Sequence, residues 1–158
     1  MSELKRATYH QLSLQIDGLL ETPSDPIALM ANLSAAIHDA LPDTSWTGFY
    51  RVVAPNLLRV GPFQGPVACV DIPFDRGVCG AAATTGETQL IDDVHAFPGH
   101  IACDASARSE IVIPLLDEQS RVFAVLDLDS RKPAAFDSVD REELEALVQR
   151  FAVHLSAA

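Results

Sequence analysis

Segments typical of strands are confined to the middle of this chain, and helical periodicity is concentrated at its two ends. Clustering strands between helices favours an α+β domain, in which helices pack on an antiparallel sheet. Six short apolar segments, rich in β-branched or aromatic residues, predict the strands of that sheet. They cover residues 46–53, 57–60, 67–72, 88–91, 111–116 and 122–128.

Apolar residues recur every three to four positions near both ends of the chain, which predicts amphipathic helices. We expect two N-terminal helices within residues 1–41 and one C-terminal helix over residues 137–157. Together with the strands, they predict a single domain over residues 1–158. The residues that fit helix caps are Asp25, followed by Pro26 at the first helical position, and Asp137 or Ser138.

Four segments between these elements have the composition of loops or of a short helix. Residues 61–66 contain two glycines and two prolines and predict a break in the sheet. Residues 77–85 predict a short helix closed by Gly86, and residues 117–120 predict a hairpin loop. Residues 92–109 show no steady period, and a loop of that length is usually functional or disordered. Because strands flank it, we expect a functional loop.

The chain is strongly acidic, with 22 Asp and Glu residues against 11 Lys and Arg residues. A surface with this charge repels phosphate, so we expect no nucleic-acid partner and no attraction to anionic membranes. No apolar run approaches the roughly 20 residues that a membrane span requires. Charged residues also interrupt the N-terminal segment, unlike the core of a signal peptide. We therefore expect a cytoplasmic protein.

Three cysteines, Cys69, Cys79 and Cys103, are the first candidates for chemistry. An odd number in a reducing compartment argues against a static disulfide framework, which leaves buried inert thiols, metal ligands or redox chemistry. Cys79 follows Arg76 at the start of the predicted short helix, where a helix N-terminus and a cation lower the pKa of a thiol. Cys103 lies in the long polar loop, where reactive residues are common.

A zinc site is the second candidate, since zinc accepts the donors that lie close together in the long loop. These donors are His95, His100, Cys103 and Asp104. Their spacing matches no common zinc finger, and histidines in loops are often simply solvated. We therefore expect no bound metal.

Acidic and aromatic residues near strand ends are the third candidate. Asp127 and Asp129 alternate with leucines, so they share one face of a strand, and Glu110 begins the preceding apolar segment. They form either a solvated face or a pocket whose neighbouring carboxylates raise one another's pKa. Trp46 and Tyr50 also share a face and could be either core residues or a pocket wall.

Several long motifs resemble the free methionine-(R)-sulfoxide reductases, which are small GAF-domain enzymes. The resemblance extends over nearly the whole chain, and all three cysteines lie within the family's local motifs. It implies a six-stranded antiparallel sheet with helices on one side, and a homodimer. The motifs are SWTGFY at residues 45–50, GPFQGPVACVDIPFDRGVCGAAA at 61–83, DDVHAFPGHIACDASARSEIVIPL at 92–115, VLDLDS at 125–130 and FDSVDREELEAL at 136–147.

The resemblance also implies a reaction that needs no bound cofactor. A cysteine thiolate attacks the sulfur of free methionine sulfoxide, methionine leaves, and the resulting sulfenic acid condenses with a second cysteine. Thioredoxin then reduces the disulfide with electrons that come ultimately from NADPH. By this resemblance the catalytic cysteines are Cys103, Cys69 and Cys79. Cys103 is the nucleophile and Cys69 matches the resolving cysteine, while the role of Cys79 is less settled, so the resemblance leaves open which of Cys69 and Cys79 resolves the sulfenic acid.

The remaining predicted site residues bind the substrate. Glu110, Asp127 and Asp129 match acidic pocket residues, while Trp46 and Tyr50 match an aromatic wall that holds the S-methyl group. The alternative is a GAF module that binds or senses a small ligand without catalysis. Such sensor modules usually adjoin an output domain, and the sequence contains no candidate for one, which favours the enzyme.

Overall fold

The computed structural model describes residues 2–100 and 103–156, which form an α+β fold as predicted. Within them, four α-helices and six β-strands follow one another along the chain. Their order is α1 (Ser2–Glu21), α2 (Pro26–Ala40), β1 (Trp46–Ala54), β2 (Leu57–Gln64), β3 (Asp71–Pro73), α3 (Gly77–Thr85), β4 (Gln89–Ile91), β5 (Ser109–Leu116), β6 (Val122–Ser130) and α4 (Ser138–Leu155). Of the predicted terminal helices, Met1 and Ala157 lie outside the described residues.

The six strands form one sheet in the order β3-β2-β1-β6-β5-β4, and every neighbouring pair is antiparallel. The register brings the polar ends of three strands together. Asp129 of β6 lies opposite Trp46 of β1 on one side and opposite Glu110 of β5 on the other. Residues far apart in the sequence therefore meet at one end of the sheet.

Alternation along the strands gives the sheet two different faces. One face packs against α1, α2 and α4 in a core that contains Phe49, Leu126 and Phe151, each of them fully buried. The other face packs against α3 in a second cluster, which contains Tyr50 and Val125. The expectation that all helices lie on one side is therefore wrong for α3, whose small residues fit closely over the second face.

The ends of the helices follow the predicted capping residues. Asp25 accepts a hydrogen bond from the backbone N–H of Ala28 at 2.8 Å, and Pro26 occupies the first position of α2. Of the two candidates at α4, Asp137 is the cap, since its side chain accepts from the N–H groups of the first turn. Gly86 closes α3 in the left-handed conformation, with a φ of 69°.

Two predicted strand boundaries are wrong. Strand β2 continues through the segment 61–64, which was predicted to be a break, because β1 pairs with it there. Pro62 is tolerated because β3 pairs with β2 only over residues 57–59, so the missing N–H falls on an open edge. The predicted strand at 67–72 is reduced to Asp71–Pro73, and the residues before it form a loop.

Among the described helices, none is both long enough and apolar enough to cross a bilayer.

Candidate active site

A cavity opens on the second face of the sheet, beneath α3 and the long loop between β4 and β5. Every predicted site residue except Cys69 lines it, and Cys69 is bonded to one of the lining residues. The fold therefore brings these residues together, and their roles in a site stay predictions. The predicted residues on the wall are Trp46, Tyr50, Cys79, Cys103, Glu110, Asp127 and Asp129.

A disulfide joins Cys69 to Cys103, which lines this cavity. Cys69 lies in the loop between β2 and β3, and Cys103 lies 34 residues later in the loop between β4 and β5, with 5.4 Å between their Cα atoms. Both side chains are half-buried. The Tyr50 hydroxyl donates to the backbone carbonyl of Cys69 at 3.4 Å. The pairing is the one that the resemblance implied.

Backbone hydrogen bonds fasten the loop that carries Cys103 to the rest of the fold. The N–H of Gly77, at the start of α3, donates to the carbonyl of Gly99 at 2.9 Å. Gly77 has a φ of 66°, which a glycine adopts without strain. At the end of the loop, the N–H of Arg108 donates to the carbonyl of Ser130 at 2.7 Å. These anchors hold the loop against both α3 and β6.

Cys79 is the free cysteine of the structure, and it lies in an environment opposite to the one its local sequence predicted. Its side chain is 4% exposed, and its Sγ lies 4.0 Å from Oε2 of Glu110. Burial raises the pKa of the Cys79 thiol, and the nearby charges of Asp127 and Glu110 raise it further. The expectation of a lowered pKa is therefore wrong, since burial and two carboxylates outweigh the helix terminus.

Three carboxyl groups converge on the floor of the cavity. Glu110 is 7% exposed, Asp127 is 4% exposed, and Asp129 is half-buried. The reading of these residues as a solvated face is therefore wrong. Burial raises the pKa of Glu110 and that of Asp129, and the charge of Asp127 raises both further. Burial also raises the pKa of Asp127. The cluster therefore retains protons above the pH at which an ordinary carboxyl ionises.

Three aromatic rings form one wall of the cavity and its support. The rings of Trp46 and Tyr50 stack with centroids 5.7 Å apart. Phe63 stacks on the Trp46 ring at 5.0 Å. The indole N–H of Trp46 donates to the carbonyl of Pro66 at 3.1 Å, which fixes the orientation of the ring. Phe63 is not among the predicted site residues, because its segment resembles a break in the sheet although it belongs to β2.

Among the other residues on the cavity wall, only His100 and Asp104 were singled out in the sequence, as donors of the zinc site considered in the loop. Most are small or apolar and come from loops, whose path depends on tertiary contacts. Burial lowers the pKa of His100, with a further contribution from His95. These residues are Val67, Ala68, Ile72, Gly77, Val78, His100, Asp104 and Ala107.

The zinc site considered in the loop is not assembled in the described part of the chain. Cys103, one of its four donors, is bonded to Cys69. The rings of His95 and His100 approach each other edge to face, with centroids 6.0 Å apart. Over residues 2–100 and 103–156, the donors that are close enough to share an ion are instead those of Cys79, Glu110 and Asp127.

Comparison with known proteins places this chain in a family. The GAF-domain family model matches residues 25–156. The chain is 42% identical to the free methionine-R-sulfoxide reductase of Escherichia coli over 144 residues, which cover 91% of this chain and 86% of that one. It is also 42% identical to the enzyme of the same name from Saccharomyces cerevisiae over 151 residues, covering 92% of this chain and 84% of that one.

A solved structure gives the same result in three dimensions. It is the free methionine-R-sulfoxide reductase of Neisseria meningitidis in complex with its substrate, and it superposes with a TM-score of 0.92 at 41% sequence identity. The superposition covers 97% of this chain and 91% of the other. The chain therefore belongs to the free methionine-R-sulfoxide reductases, a family of GAF-domain oxidoreductases.

Proposed function

We propose that this chain reduces free L-methionine-(R)-sulfoxide to methionine, with Cys103 as the nucleophile. The observation that carries the proposal is the meeting of Cys103, a carboxyl cluster with raised pKa values and an aromatic wall in one cavity. Each component answers one requirement of sulfoxide reduction: a nucleophile for sulfur, a proton for oxygen and an apolar surface for the methyl group.

The aromatic wall binds the apolar end of the substrate. The stacked rings of Trp46 and Tyr50 present a flat surface on which an S-methyl group can pack. Because Trp46 is held by Phe63 and by its hydrogen bond to Pro66, the surface is already formed before the substrate arrives. It positions the sulfoxide sulfur for attack from the loop of Cys103.

The carboxyl cluster acts on two polar groups of the substrate, the sulfoxide oxygen and the ammonium group. A sulfoxide oxygen is a poor leaving group until it is protonated, and Glu110, with its raised pKa, retains a proton that it can donate. The substrate's ammonium group pairs with a carboxylate of the same cluster. We assign this contact to Asp127 and Asp129, which lie on the neighbouring strand β6.

The chemistry then proceeds in two steps. The Cys103 thiolate attacks the sulfoxide sulfur, oxygen is transferred to Cys103 with a proton from the cluster, and methionine leaves a Cys103 sulfenic acid. The Cys69 thiolate attacks that sulfur, a disulfide forms as the bond between sulfur and oxygen breaks, and the hydroxyl takes up a proton and leaves as water. The bond between Cys69 and Cys103 in the structure supports this second step, since the two sulfurs are within reach of each other. Cys79, buried with a raised pKa, is not the attacking thiol.

Completing the cycle requires two electrons, which we propose are delivered by a thioredoxin dithiol and come ultimately from NADPH. Cys69→Ser tests this step. The variant should release methionine once, because Cys103 is intact, but lose most of its thioredoxin-supported turnover, because the sulfenic acid has no partner. Full turnover by Cys69→Ser, with a Cys79–Cys103 disulfide in its peptide map, would transfer the resolving role to Cys79.

The substrate assignment is tested by measuring consumption of four compounds: the R and S epimers of methionine sulfoxide, each free and within a peptide. The proposal predicts consumption of the free R epimer alone, and none by Cys103→Ser. Consumption of no sulfoxide by the fully reduced protein would favour a GAF module that binds a small ligand without catalysis. Consumption of the peptide-bound compounds would contradict the assignment to the free amino acid.

Three further proposals concern the setting of the enzyme. We propose that the chain is a single GAF domain, that it acts as a homodimer and that it works in the cytoplasm. Sedimentation of the purified protein tests the dimer, and fractionation of cells tests the location. A monomer at the concentration of the activity assay would contradict the proposed homodimer.

A further inference from the structure

We propose that Cys79, Glu110 and Asp127 form a binding site for a thiophilic divalent cation of the zinc and cadmium class. One donor atom from each residue can be chosen such that all three lie within 4.8 Å of one another, and all three residues are buried. The three come from α3, β5 and β6, so the fold and not a local motif assembles the set.

A second observation points to a ligand at this place. Asp127 is 4% exposed, and its Oδ1 has no hydrogen-bond partner within residues 2–100 and 103–156. A buried carboxylate oxygen without a partner carries a desolvation cost that a bound cation would offset. Asp127 lines the same cavity as Cys79 and Glu110.

The geometry requires little rearrangement. With a Zn–S distance of about 2.3 Å and Zn–O distances of about 2.1 Å, a tetrahedral ion places its donors about 3.4–3.6 Å apart. The Sγ of Cys79 already lies 4.0 Å from Oε2 of Glu110. Closing the set around an ion therefore requires a shift of about 0.4 Å between Cys79 and Glu110, and of at most about 1.4 Å between any other two donors, since all of them lie within 4.8 Å of one another. A fourth position remains for water, as in sites with three protein ligands.

The donor set also selects the kind of cation. Binding displaces the protons that Cys79 and the carboxyl cluster retain, and a dication then offsets two of the three negative charges of one thiolate and two carboxylates at close range. A thiolate favours zinc or cadmium over magnesium or calcium, both of which require shells of oxygen atoms. Magnesium should therefore not compete for the site.

Occupation would oppose the proposed reaction. The ion uses the carboxylates that we assign to proton donation and to the substrate's ammonium group, so it acts as an inhibitor and not as a cofactor. This consequence rests on the proposed function, but binding itself does not. The two can therefore be tested separately.

The test uses the oxidised protein, in which the Cys69–Cys103 disulfide leaves Cys79 as the free thiol among the chain's three cysteines. Titration with Cd²⁺ should give a thiolate-to-cadmium absorption band that saturates at one equivalent, unaffected by excess Mg²⁺. Cys79→Ser should abolish the band, and Glu110→Gln should weaken Cd²⁺ binding at least ~10-fold. The matched control is Glu118→Gln, which neutralises an exposed acid in the loop between β5 and β6. It should leave the absorption band and the Cd²⁺ affinity unchanged.

Absence of the band in the folded wild-type protein would overturn the proposal, as would equal Cd²⁺ affinity in wild type and in Glu110→Gln. A band that is also weakened by Glu118→Gln would mean diffuse surface binding and would overturn it too. Failure of the proposed function gives a different result, since metal-free reduced protein would then not consume methionine sulfoxide, whether or not the band forms.

Discussion

The two faces of the sheet are built from alternating residues of the same strands, but they differ in almost every property. On β6, Leu126 and Leu128 are fully buried against the long helices, whereas Asp127 and Asp129, next to them in sequence, face the cavity. The face that packs against α1, α2 and α4, which we call the helix face, is apolar and closely packed. The cavity face carries acids, aromatic rings and cysteines under one short helix and several loops. The difference indicates that one face provides stability and the other provides chemistry.

The largest effect should come from neutralising an acid on the cavity face, which should reduce activity without reducing stability. We expect Glu110→Gln to lower kcat/KM by about 10²–10⁴-fold, since a positioned proton donor contributes that much. The melting temperature should stay unchanged or rise, because the buried carboxyl costs free energy when it ionises. Asp129→Asn should also lower kcat/KM strongly, but mainly through KM, because we assign Asp129 to the substrate's ammonium group.

The matched control for Glu110→Gln is Glu118→Gln, which removes an exposed carboxyl from a loop. It should change neither the kinetics nor the melting temperature. Near wild-type kinetics for both Glu110→Gln and Asp129→Asn would mean that the cluster takes no part in catalysis.

A truncation on the helix face should give the converse result. Phe151 of α4 is fully buried, and its ring meets Phe49 edge to face at a centroid distance of 6.1 Å. We expect Phe151→Ala to lower the free energy of unfolding by about 3–5 kcal/mol, the usual cost of such a cavity. Urea unfolding measures this loss, and kcat of the folded fraction should be unchanged. A fall in kcat without a loss of stability would contradict the division between the faces.

A smaller loss should follow from removing the cap of α4. Asp137→Ala should cost about 1 kcal/mol of unfolding free energy, while Ser138→Ala should cost little. Burial opposes ionisation of Asp137, but hydrogen bonds from Lys5 and from the first turn outweigh it and lower the pKa. A carboxyl with a lowered folded pKa stabilises above its unfolded value of about 3.9 and loses that contribution as the pH falls.

The difference in unfolding free energy between wild type and Asp137→Ala should therefore be full at pH 7 and shrink below pH ~4. Urea unfolding at several pH values measures it. A difference that grows as the pH falls would mean that Asp137 does not act through its charged form.

Local sequence patterns predicted the ends of helices on both faces of the sheet. Asp25, Gly86 and Asp137 set the bounds of α2, α3 and α4, because capping depends on residues within a few positions of each other. Alternation also placed Asp127 and Asp129 on a common face. Whether that face met water or a cavity could not be read from the alternation, since it depends on the distant residues of α3 and the long loop.

The cavity face was harder to predict because its properties arise from contacts between distant segments. The apolar run at residues 67–72 resembles a strand, but most of it forms the loop that brings Cys69 to Cys103. The sequence around Cys79 predicts a lowered pKa, yet Glu110 from another strand and burial reverse the sign. The family resemblance, and not the local pattern, implied the Cys69–Cys103 pairing.

The most direct test of the central claim is the amount of methionine released in a single turnover by fully reduced protein without a recycling system. We expect about one methionine per chain from wild type and from Cys79→Ser, and none from Cys103→Ser, since the attacking thiolate is then missing. Circular dichroism confirms that each variant is folded. Release of one methionine by Cys103→Ser, together with none by Cys79→Ser, would show that the buried thiol is the nucleophile and would contradict the account.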